Sequence, residues 1–463
     1  MRITWSRPSD LLVHEFVQSR AGGVDPSAQE ARCLAAGGSL DVPASGAGAR
    51  PESPGDARLA LELLDELDAI AGVPDTRHGE GVNAILASAD ARLPDLTRPG
   101  RDALRDRVLG AWRGRAVGCL LGKPVEKIPR EGIRAIVDST TGWPLDGYFT
   151  AEGIDPSVAA AWPWNRRSAP TSLAENIDGM PEDDDLNYPV LGLELLETHG
   201  PRFDVEAVAT LWLDSLPAGR VFTAERAAYR NLLEAVPPEA AARHHNPFRE
   251  WIGALIRGDV HGWTSPGDLV EAARRAAVDA SLTHTRNGVH GAMWAAALCS
   301  AALVADDVPT VLDAAAAVIP PDGDLARAID SGRRIARAEP DVDRALDALH
   351  AGWGHLHWVH VLNNAATIAW ALESAIPDGP TDAPIDFGTA ITRAVMAGWD
   401  TDSAGATVGS VAGALLGASR LEARWTDPLG DRYRTSLPGM DATTFTELAD
   451  RTLALIDDGP RAA

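Results

Sequence analysis

Residues 110–126 read Gly110-Ala-Trp-Arg-Gly114-Arg-Ala-Val-Gly118-Cys-Leu-Leu-Gly122-Lys-Pro-Val-Glu126. The four glycines stand four residues apart, a spacing that places them along one stripe of a helix. Glycine costs about 1 kcal/mol relative to alanine inside a helix, so the stripe is expensive unless another backbone approaches closely. The same spacing recurs at Gly405, Gly409, Gly413 and Gly417. We therefore predict that the two stripes pack against each other or around a shared centre.

The remainder of the chain is typical of an all-α protein. Alanine-rich runs with leucine at three- and four-residue spacing recur along the 463 residues, and both residue types favour helices. In Asp56–Ile70, with Asp56 as the predicted N-cap, one apolar face is formed by Leu59, Leu63, Leu64, Leu67 and Ile70. We predict a compact, multi-helix, all-α fold.

Composition narrows the possible partners and compartment. With 42 basic and 66 acidic side chains the net charge is −24, which argues against nucleic acid or an anionic membrane as the main partner. The three cysteines follow no disulfide or zinc pattern, and residues 1–20 lack the apolar core of a signal peptide. We expect a soluble, cytoplasmic protein whose acidity must be offset locally wherever an anionic ligand binds.

Breaks in the helical pattern divide the chain into two regions. Residues 1–100 are predicted to form an N-terminal helical extension that contains a Gly/Pro-rich linker at Gly37–Gly55. Residues 101–463 are predicted to form the catalytic domain, with an irregular insertion at about 140–178 that continues toward Asp185. We expect the insertion to be ordered and functional, because it carries the aromatic side chains of Trp143, Tyr148, Phe149, Trp162 and Trp164.

Two oxygen-rich segments each open an apolar helical run. The first is Met180-Pro-Glu182-Asp183-Asp184-Asp185-Leu-Asn187-Tyr188, and the second is Gly398-Trp399-Asp400-Thr401-Asp402-Ser403-Ala-Gly-Ala-Thr407. A single acidic helix start is more simply read as a solvated cap, but two such starts supply the ligands of a centre for hard cations. Carboxylates and hydroxyls suit Mg²⁺ or Mn²⁺, whereas zinc or copper favours cysteine or histidine. The acids suffice for two ions.

The glycine motif, the acidic loop and the second segment, in that order, resemble the ADP-ribosylglycohydrolase family, which includes the hydrolase that reactivates ADP-ribosylated dinitrogenase reductase. Segments beginning at Asn246, Ser281 and His357 also resemble a larger bacterial branch of this family. The resemblance extends over roughly 102–419. It implies an all-α domain with two Mg²⁺ or Mn²⁺ ions at the base of an ADP-ribose cleft.

The resemblance also implies roles for individual residues. The expected metal ligands are Glu182, Asp183, Asp184, Asp400, Asp402 and Ser403. Asp184 or Glu126 is the expected catalytic acid or base. The candidate substrate-binding residues are Asn363, Asn364, Gly118, Trp399 and Tyr188, with helix capping or core packing as the alternative role. Smaller family members commonly carry Thr or Ser at position 182, and Thr at positions 185 and 403, so this acidic loop departs from their pattern.

Several alternatives stay open at this point. The leading interpretation is hydrolysis of an N- or O-glycosidic bond in an ADP-ribosylated protein or small molecule, through an oxocarbenium-like transition state. One alternative is hydrolysis of another N-ribosyl nucleotide metabolite, and the other is an inactive ADP-ribose-binding or structural relative. His355, His357 and His360 suggest either a zinc site or, in the simpler view, packed histidines.

Overall fold

The computed structural model of the chain describes residues 3–46, 48, 51–71, 77–89, 93, 94, 96–377 and 383–457. Three positions of the predicted Gly37–Gly55 linker, 47, 49 and 50, fall outside these residues. The described residues form helices, 3-10 turns and three isolated β-bridges, and they contain no β-strand. The all-α prediction is therefore confirmed. None of the described helices is both long and apolar enough to cross a membrane.

The helices are numbered in chain order. Four lie within residues 1–100, the predicted N-terminal extension: α1 Pro8–Ala21, α2 Ser27–Ala35, α3 Pro54–Ala71 and α4 Arg77–Ala89. The next group is α5 Arg101–Gly122, α6 Arg130–Thr140, α7 Pro156–Ala161, α8 Ala169–Ser172, α9 Asp184–His199, α10 Val205–Ser215, α11 Thr223–Leu233, α12 Pro238–Ala241 and α13 Asp259–Trp263. The last group is α14 Leu269–Ser281, α15 Asn287–Ala302, α16 Val308–Ala316, α17 Asp324–Ala338, α18 Val342–Trp353, α19 Val361–Ser374, α20 Phe387–Met396, α21 Thr401–Leu416, α22 Ala423–Thr426 and α23 Phe445–Asp457.

The two glycine-striped helices, α5 and α21, pack directly against each other. The facing pairs are Gly110 with Gly413, Gly114 with Gly409, and Gly118 with Gly405, and Gly122 faces Thr401. A Cβ atom added at any of these glycines would come within 3.0 Å of backbone atoms of the opposite helix, a separation that real Cβ atoms do not show. The predicted packing of the stripes is confirmed. The antiparallel pairing places the end of α5 beside the start of α21.

The N-terminal extension is docked on the rest of the chain through buried polar and aromatic contacts. Arg249 donates from both terminal nitrogens to the Glu15 carboxylate of α1, at 2.7 and 2.9 Å. Trp5 contacts Phe248 and Trp251 edge-on, with ring centroids 5.4 and 5.5 Å apart. Residues 3–19 thus cover the 248–251 segment as an additional helical layer.

The start of α3 corrects one detail of the sequence prediction. Asp56 lies inside the first turn of α3, and the cap is formed with Ser53. The Ser53 hydroxyl accepts from the Asp56 N–H at 3.1 Å, and the Asp56 carboxylate accepts from the Ser53 N–H at 3.1 Å. This reciprocal pair is a capping box, in which both residues satisfy otherwise unbonded N–H groups.

The insertion after α6 is ordered and packed, although only short helices form within it. Phe149 is buried, and the Tyr148 hydroxyl donates to the Trp425 carbonyl at 2.8 Å. The Asn165 amide donates to the Glu126 carboxylate at 2.7 Å. One arm of the insertion therefore reaches the end of the glycine motif.

Two buried histidines at the interface of α1 lead us to expect that the stability of the chain depends on pH. Burial lowers the pKa of His14 from 6.5 to about 4, and burial with nearby histidines lowers that of His357 to about 3. Because the folded pKa values are depressed, unfolding takes up protons below pH 6.5. The free energy of unfolding is therefore undiminished above that pH and decreases as the pH falls toward 4. For His14 alone the loss amounts to about 2 kcal/mol at pH 5.

Urea unfolding followed by tryptophan fluorescence at pH 7.5, 6 and 5 tests this prediction. We expect His14→Leu, which removes a buried Nε2 atom without a partner among the described residues, to show a flatter pH dependence than the unmodified chain. Identical pH dependences in the two proteins would contradict the assignment.

Candidate metal centre

The two acidic segments meet in space although more than 200 residues separate them along the chain. The Ser403 hydroxyl, in the first turn of α21, donates to the Asp185 carboxylate, in the first turn of α9, at 3.2 Å. Both helices therefore begin at the same place, and their N-terminal N–H groups favour negative charge there. Asp184 lies in the same cluster, because the charges of Asp183, Asp185 and Asp402 all act on its carboxyl.

Asp400 and Asp402 form the part of the centre contributed by α21. Their carboxyl groups interact directly, and this contact raises the pKa of Asp400 while it lowers that of Asp402. Burial, with the charges of Glu126 and Asp183, raises the pKa of Asp402 to about 7. Burial and the charge of Asp402 likewise raise the pKa of Asp400 well above its usual range. A cation bound here would stabilise the charged form of both carboxylates.

The part contributed by the 182–185 loop is more strongly paired. Asp183 caps α9 by accepting from the Asp185 N–H at 2.9 Å, and its other oxygen accepts from the ammonium group of Lys123. Both oxygens of Glu182 are engaged, one by the Asn187 amide at 2.9 Å and one by Arg220 at 3.0 Å.

Asp184 differs from its neighbours in having a free carboxylate. Within the described residues, no donor lies within hydrogen-bond distance of its oxygens, whereas those of Asp183 and Glu182 are occupied. Burial and the charges of Asp183 and Asp185 raise the pKa of Asp184 well above its ordinary value. A carboxylate in this environment binds a cation or a proton favourably.

Arg115, whose side chain is fully buried on α5, forms hydrogen bonds to the acidic centre. Its guanidinium donates to the Asp185 carbonyl at 2.9 and 2.8 Å, to the Asp185 carboxylate at 3.2 Å and to Asp259 at 2.9 Å. It also donates to the Ile256 carbonyl. Because the planar guanidinium carries several fixed donors, it holds the first turn of α9 against α5 and α13.

Glu126 stands at the edge of the cluster, just after the 3-10 turn Lys123–Val125. One carboxylate oxygen accepts from the Asn165 amide at 2.7 Å, and the other lies 3.1 Å from the Lys127 ammonium. Its charge acts on Asp184, Asp400 and Asp402. The glycine packing of α5 against α21 thus brings Glu126 to the acids of both loops.

The predicted substrate residues Asn363 and Asn364 are buried and bonded to backbone. The Asn363 amide donates to the His357 carbonyl at 3.0 Å, and the Asn364 amide donates to those of Trp358 and His360 at 2.9 Å. The Asn364 oxygen accepts from the Asp400 N–H at 3.3 Å. In this arrangement both residues hold the 357–360 segment, and Asn364 also positions Asp400. Their contact with substrate stays a prediction.

The other predicted substrate residues occupy packing positions. The Trp399 ring stacks on His350 with centroids 4.3 Å apart, and the Tyr188 ring lies against Trp212 at 5.6 Å. Gly118 is buried in the contact with Gly405. These positions correspond to the core-packing and helix-packing alternatives, and a role in binding substrate stays a prediction for all three residues.

Comparison with known proteins gives the family of this chain. A model of the ADP-ribosylglycohydrolase family matches residues 100–461. The chain belongs to the ADP-ribosylglycohydrolase family. One similar solved structure, described as an ADP-ribosylglycohydrolase-related protein complex, shares 22% identity over 77% of this chain and 99% of that chain, with a TM-score of 0.46. A comparison with curated proteins found no match.

Family membership confirms the resemblance seen in the sequence motifs. It makes the chain, in general terms, a glycohydrolase of ADP-ribosyl compounds. ADP-ribosylglycohydrolases are in general metal-dependent, and the donors of this chain fit a hard divalent cation. The fit rests on the Asp184 carboxylate, which has no donor among the described residues, on the contact between Asp400 and Asp402, and on a set of oxygen donors from two helix starts.

Sequence reasoning missed three residues that line the acidic centre. Lys123 and Arg115 were read only as part of the glycine motif, although a charged side chain inside a buried helix is itself a signal. Burial disfavours the charge of Lys123, but Asp183 and other anionic neighbours outweigh it and hold its pKa above the usual range. Cys119 lies with Asp183 and Asp185, their ligand atoms all within 4.8 Å. Burial raises the pKa of the Cys119 thiol, which keeps it protonated.

A separate cavity of about 570 Å³ lies at the opposite end of α9, against Leu196, Thr198 and Arg451. Asp184 begins α9, and a rise of 1.5 Å per residue puts the two ends of the helix roughly 20 Å apart. The acidic centre and this cavity are therefore different features of the molecule.

Proposed function

We propose that this chain is a binuclear-metal hydrolase that cleaves the N- or O-ribosyl bond of an ADP-ribosyl group. The observation that carries the proposal is the hydrogen bond from Ser403 to Asp185, at 3.2 Å, which joins the two acidic helix starts into one centre. Family membership supports the ADP-ribosyl substrate class. The expected substrate is an ADP-ribosylated protein or an ADP-ribose-containing small molecule.

The proposed ligands are the acids of both loops together with the Ser403 hydroxyl. Asp183, Asp184, Asp400 and Asp402 supply most of the oxygens, whereas Glu182 is the weakest candidate because Asn187 and Arg220 engage its carboxylate. Two bound Mg²⁺ or Mn²⁺ ions would supply Lewis-acid activation of water and orientation of the ribose hydroxyls. They would also offset the repulsion between this acidic chain and an anionic diphosphate.

The residues of the chain divide the remaining work. Asp184, which lacks a donor among the described residues, is the proposed base that takes a proton from the attacking water. As the water oxygen bonds to the anomeric carbon, the bond to the nitrogen or oxygen of the leaving group breaks, and the proton that Asp184 took from the water passes to the leaving group. Glu126, held by Asn165 and Lys127, is the proposed second carboxylate of this proton transfer. Arg115 fixes the position of the 182–185 loop by binding Asp185.

Side-by-side assays test the proposal. The purified chain is incubated with ADP-ribosyl-arginine, ADP-ribosyl-serine and free nucleotides, with Mg²⁺, Mn²⁺ or a chelator, and release of ADP-ribose is measured. We expect release from an ADP-ribosyl substrate that the chelator abolishes and that added metal restores. Hydrolysis of a free nucleotide alone would favour the N-ribosyl metabolite alternative. A chain that retains no metal after dialysis against Mn²⁺ and hydrolyses no ribosyl substrate would favour an inactive binding relative.

A further inference from the structure

A second cluster of metal-ligating side chains lies where the N-terminal extension meets the family domain. It consists of Asp65 and Asp68, one turn apart on α3, and of His244 and His245 in the segment after α12. Ligand atoms of Asp68, His244 and His245 all lie within 4.8 Å of one another. His245 Nε2 is 2.8 Å from Asp65 Oδ1, and His244 Nδ1 is 3.4 Å from Asp68 Oδ2.

The backbone that presents the two histidines is fixed before any ligand arrives. The Asn231 amide donates to the His244 carbonyl at 2.7 Å, and Arg230 donates to the His244 and His245 carbonyls, each at 3.2 Å. The His245 N–H donates to Asp68 at 3.2 Å. Because these bonds hold the turn, little conformational freedom remains to be lost on binding.

The charge and donor chemistry of the cluster suit a borderline divalent metal. Burial and the adjacent His244 lower the pKa of His245, so its imidazole is neutral at pH 7 and offers a nitrogen lone pair. The two imidazole rings stack with centroids 4.0 Å apart, an arrangement that two protonated rings would oppose. Two imidazoles beside two carboxylates form a group with mixed nitrogen and oxygen donors, the set that Zn²⁺ accepts and Mg²⁺ does not.

We propose that Asp68, His244 and His245, with Asp65 as a fourth donor, bind a structural transition-metal ion of the Zn²⁺ type. The ion fastens α3 of the extension to the turn that follows α12. The site shares no residue with the acidic centre and has a different ligand chemistry. It therefore acts on the docking of the extension rather than on the hydrolysis itself.

Zinc titration of the full chain in the presence of excess Mg²⁺, which occupies the acidic centre, tests this site. We expect one Zn²⁺ ion per chain that Mg²⁺ does not displace. His244→Gln, His245→Asn and Asp68→Asn are each expected to weaken its binding by at least about 100-fold, since even outer-shell partners of a metal contribute 10–100-fold. Asparagine suits position 245 because its φ of 46° lies in the left-handed region.

His199→Gln, which changes an exposed histidine at the end of α9, is the matched control and is expected to bind Zn²⁺ unchanged. Circular dichroism of the metal-free variants verifies that they are folded. Amide hydrogen exchange supplies a second readout: Zn²⁺ should slow exchange in α3 and in residues 242–246 of the unmodified chain but not of Asp68→Asn. No Zn²⁺ binding by the unmodified chain, or unchanged binding by both histidine variants, would overturn the proposal.

Discussion

Asp184→Asn is expected to lower the turnover of an ADP-ribosyl substrate by about 10³-fold. Asparagine keeps the size of the side chain but cannot accept a proton, and loss of a general base costs about 10²–10⁴-fold in rate. Asp184 is also a proposed metal ligand, so the variant should bind Mn²⁺ more weakly. The measurements are kcat under saturating metal and the Mn²⁺ affinity of the metal-free protein.

Asp214→Asn is the control for this prediction, because Asp214 is an exposed acid on α10, away from the centre. Its kcat and Mn²⁺ affinity should equal those of the unmodified chain. If Asp184→Asn retained more than a tenth of the original kcat at saturating Mn²⁺, Asp184 would not be the base, and Glu126 would become the first candidate.

Gly114→Ala is expected to destabilise the chain by about 3 kcal/mol or more. Alanine gains about 1 kcal/mol over glycine in helix propensity, but here the added methyl group would lie against backbone atoms of Gly409 and Gly413. Backbone cannot move aside as a flexible side chain does, so α5 and α21 must separate, and overpacking of this kind exceeds the gain. Thermal and urea unfolding measure the change.

Gly352→Ala provides the matched control with the opposite sign. Gly352 lies in α18, and a Cβ atom added there meets nothing within 4 Å. The helix propensity gain should therefore appear alone, as a stabilisation of roughly 0.5–1 kcal/mol. Equal effects of the two substitutions would show that the close approach of α5 and α21 is not what requires glycine at position 114.

Much of the architecture follows from local patterns in the sequence. The glycine spacing predicts the packing of α5 against α21. A stripe of glycines four residues apart destabilises an isolated helix and is favourable only where a second backbone packs closely against it. The order of acids and hydroxyls predicts two helix starts rich in oxygen donors. The predicted helix at 56–70 forms as α3, Pro54–Ala71, although its cap is a Ser53–Asp56 pair. These features depend on neighbours along the chain and on helical periodicity.

What the sequence by itself determined is therefore the all-α class, the glycine-striped helix pair, the two acidic helix starts and the family. Only the tertiary structure decided how the acids are paired: Asp184 has no donor among the described residues, Asp183 is held by Lys123, and Asp185 is held by Arg115 and Ser403. It also decided that Asp68 of the extension lies beside His244 of the following domain. The physical reason is that such pairs lie tens to hundreds of residues apart, so their distances depend on how whole helices pack.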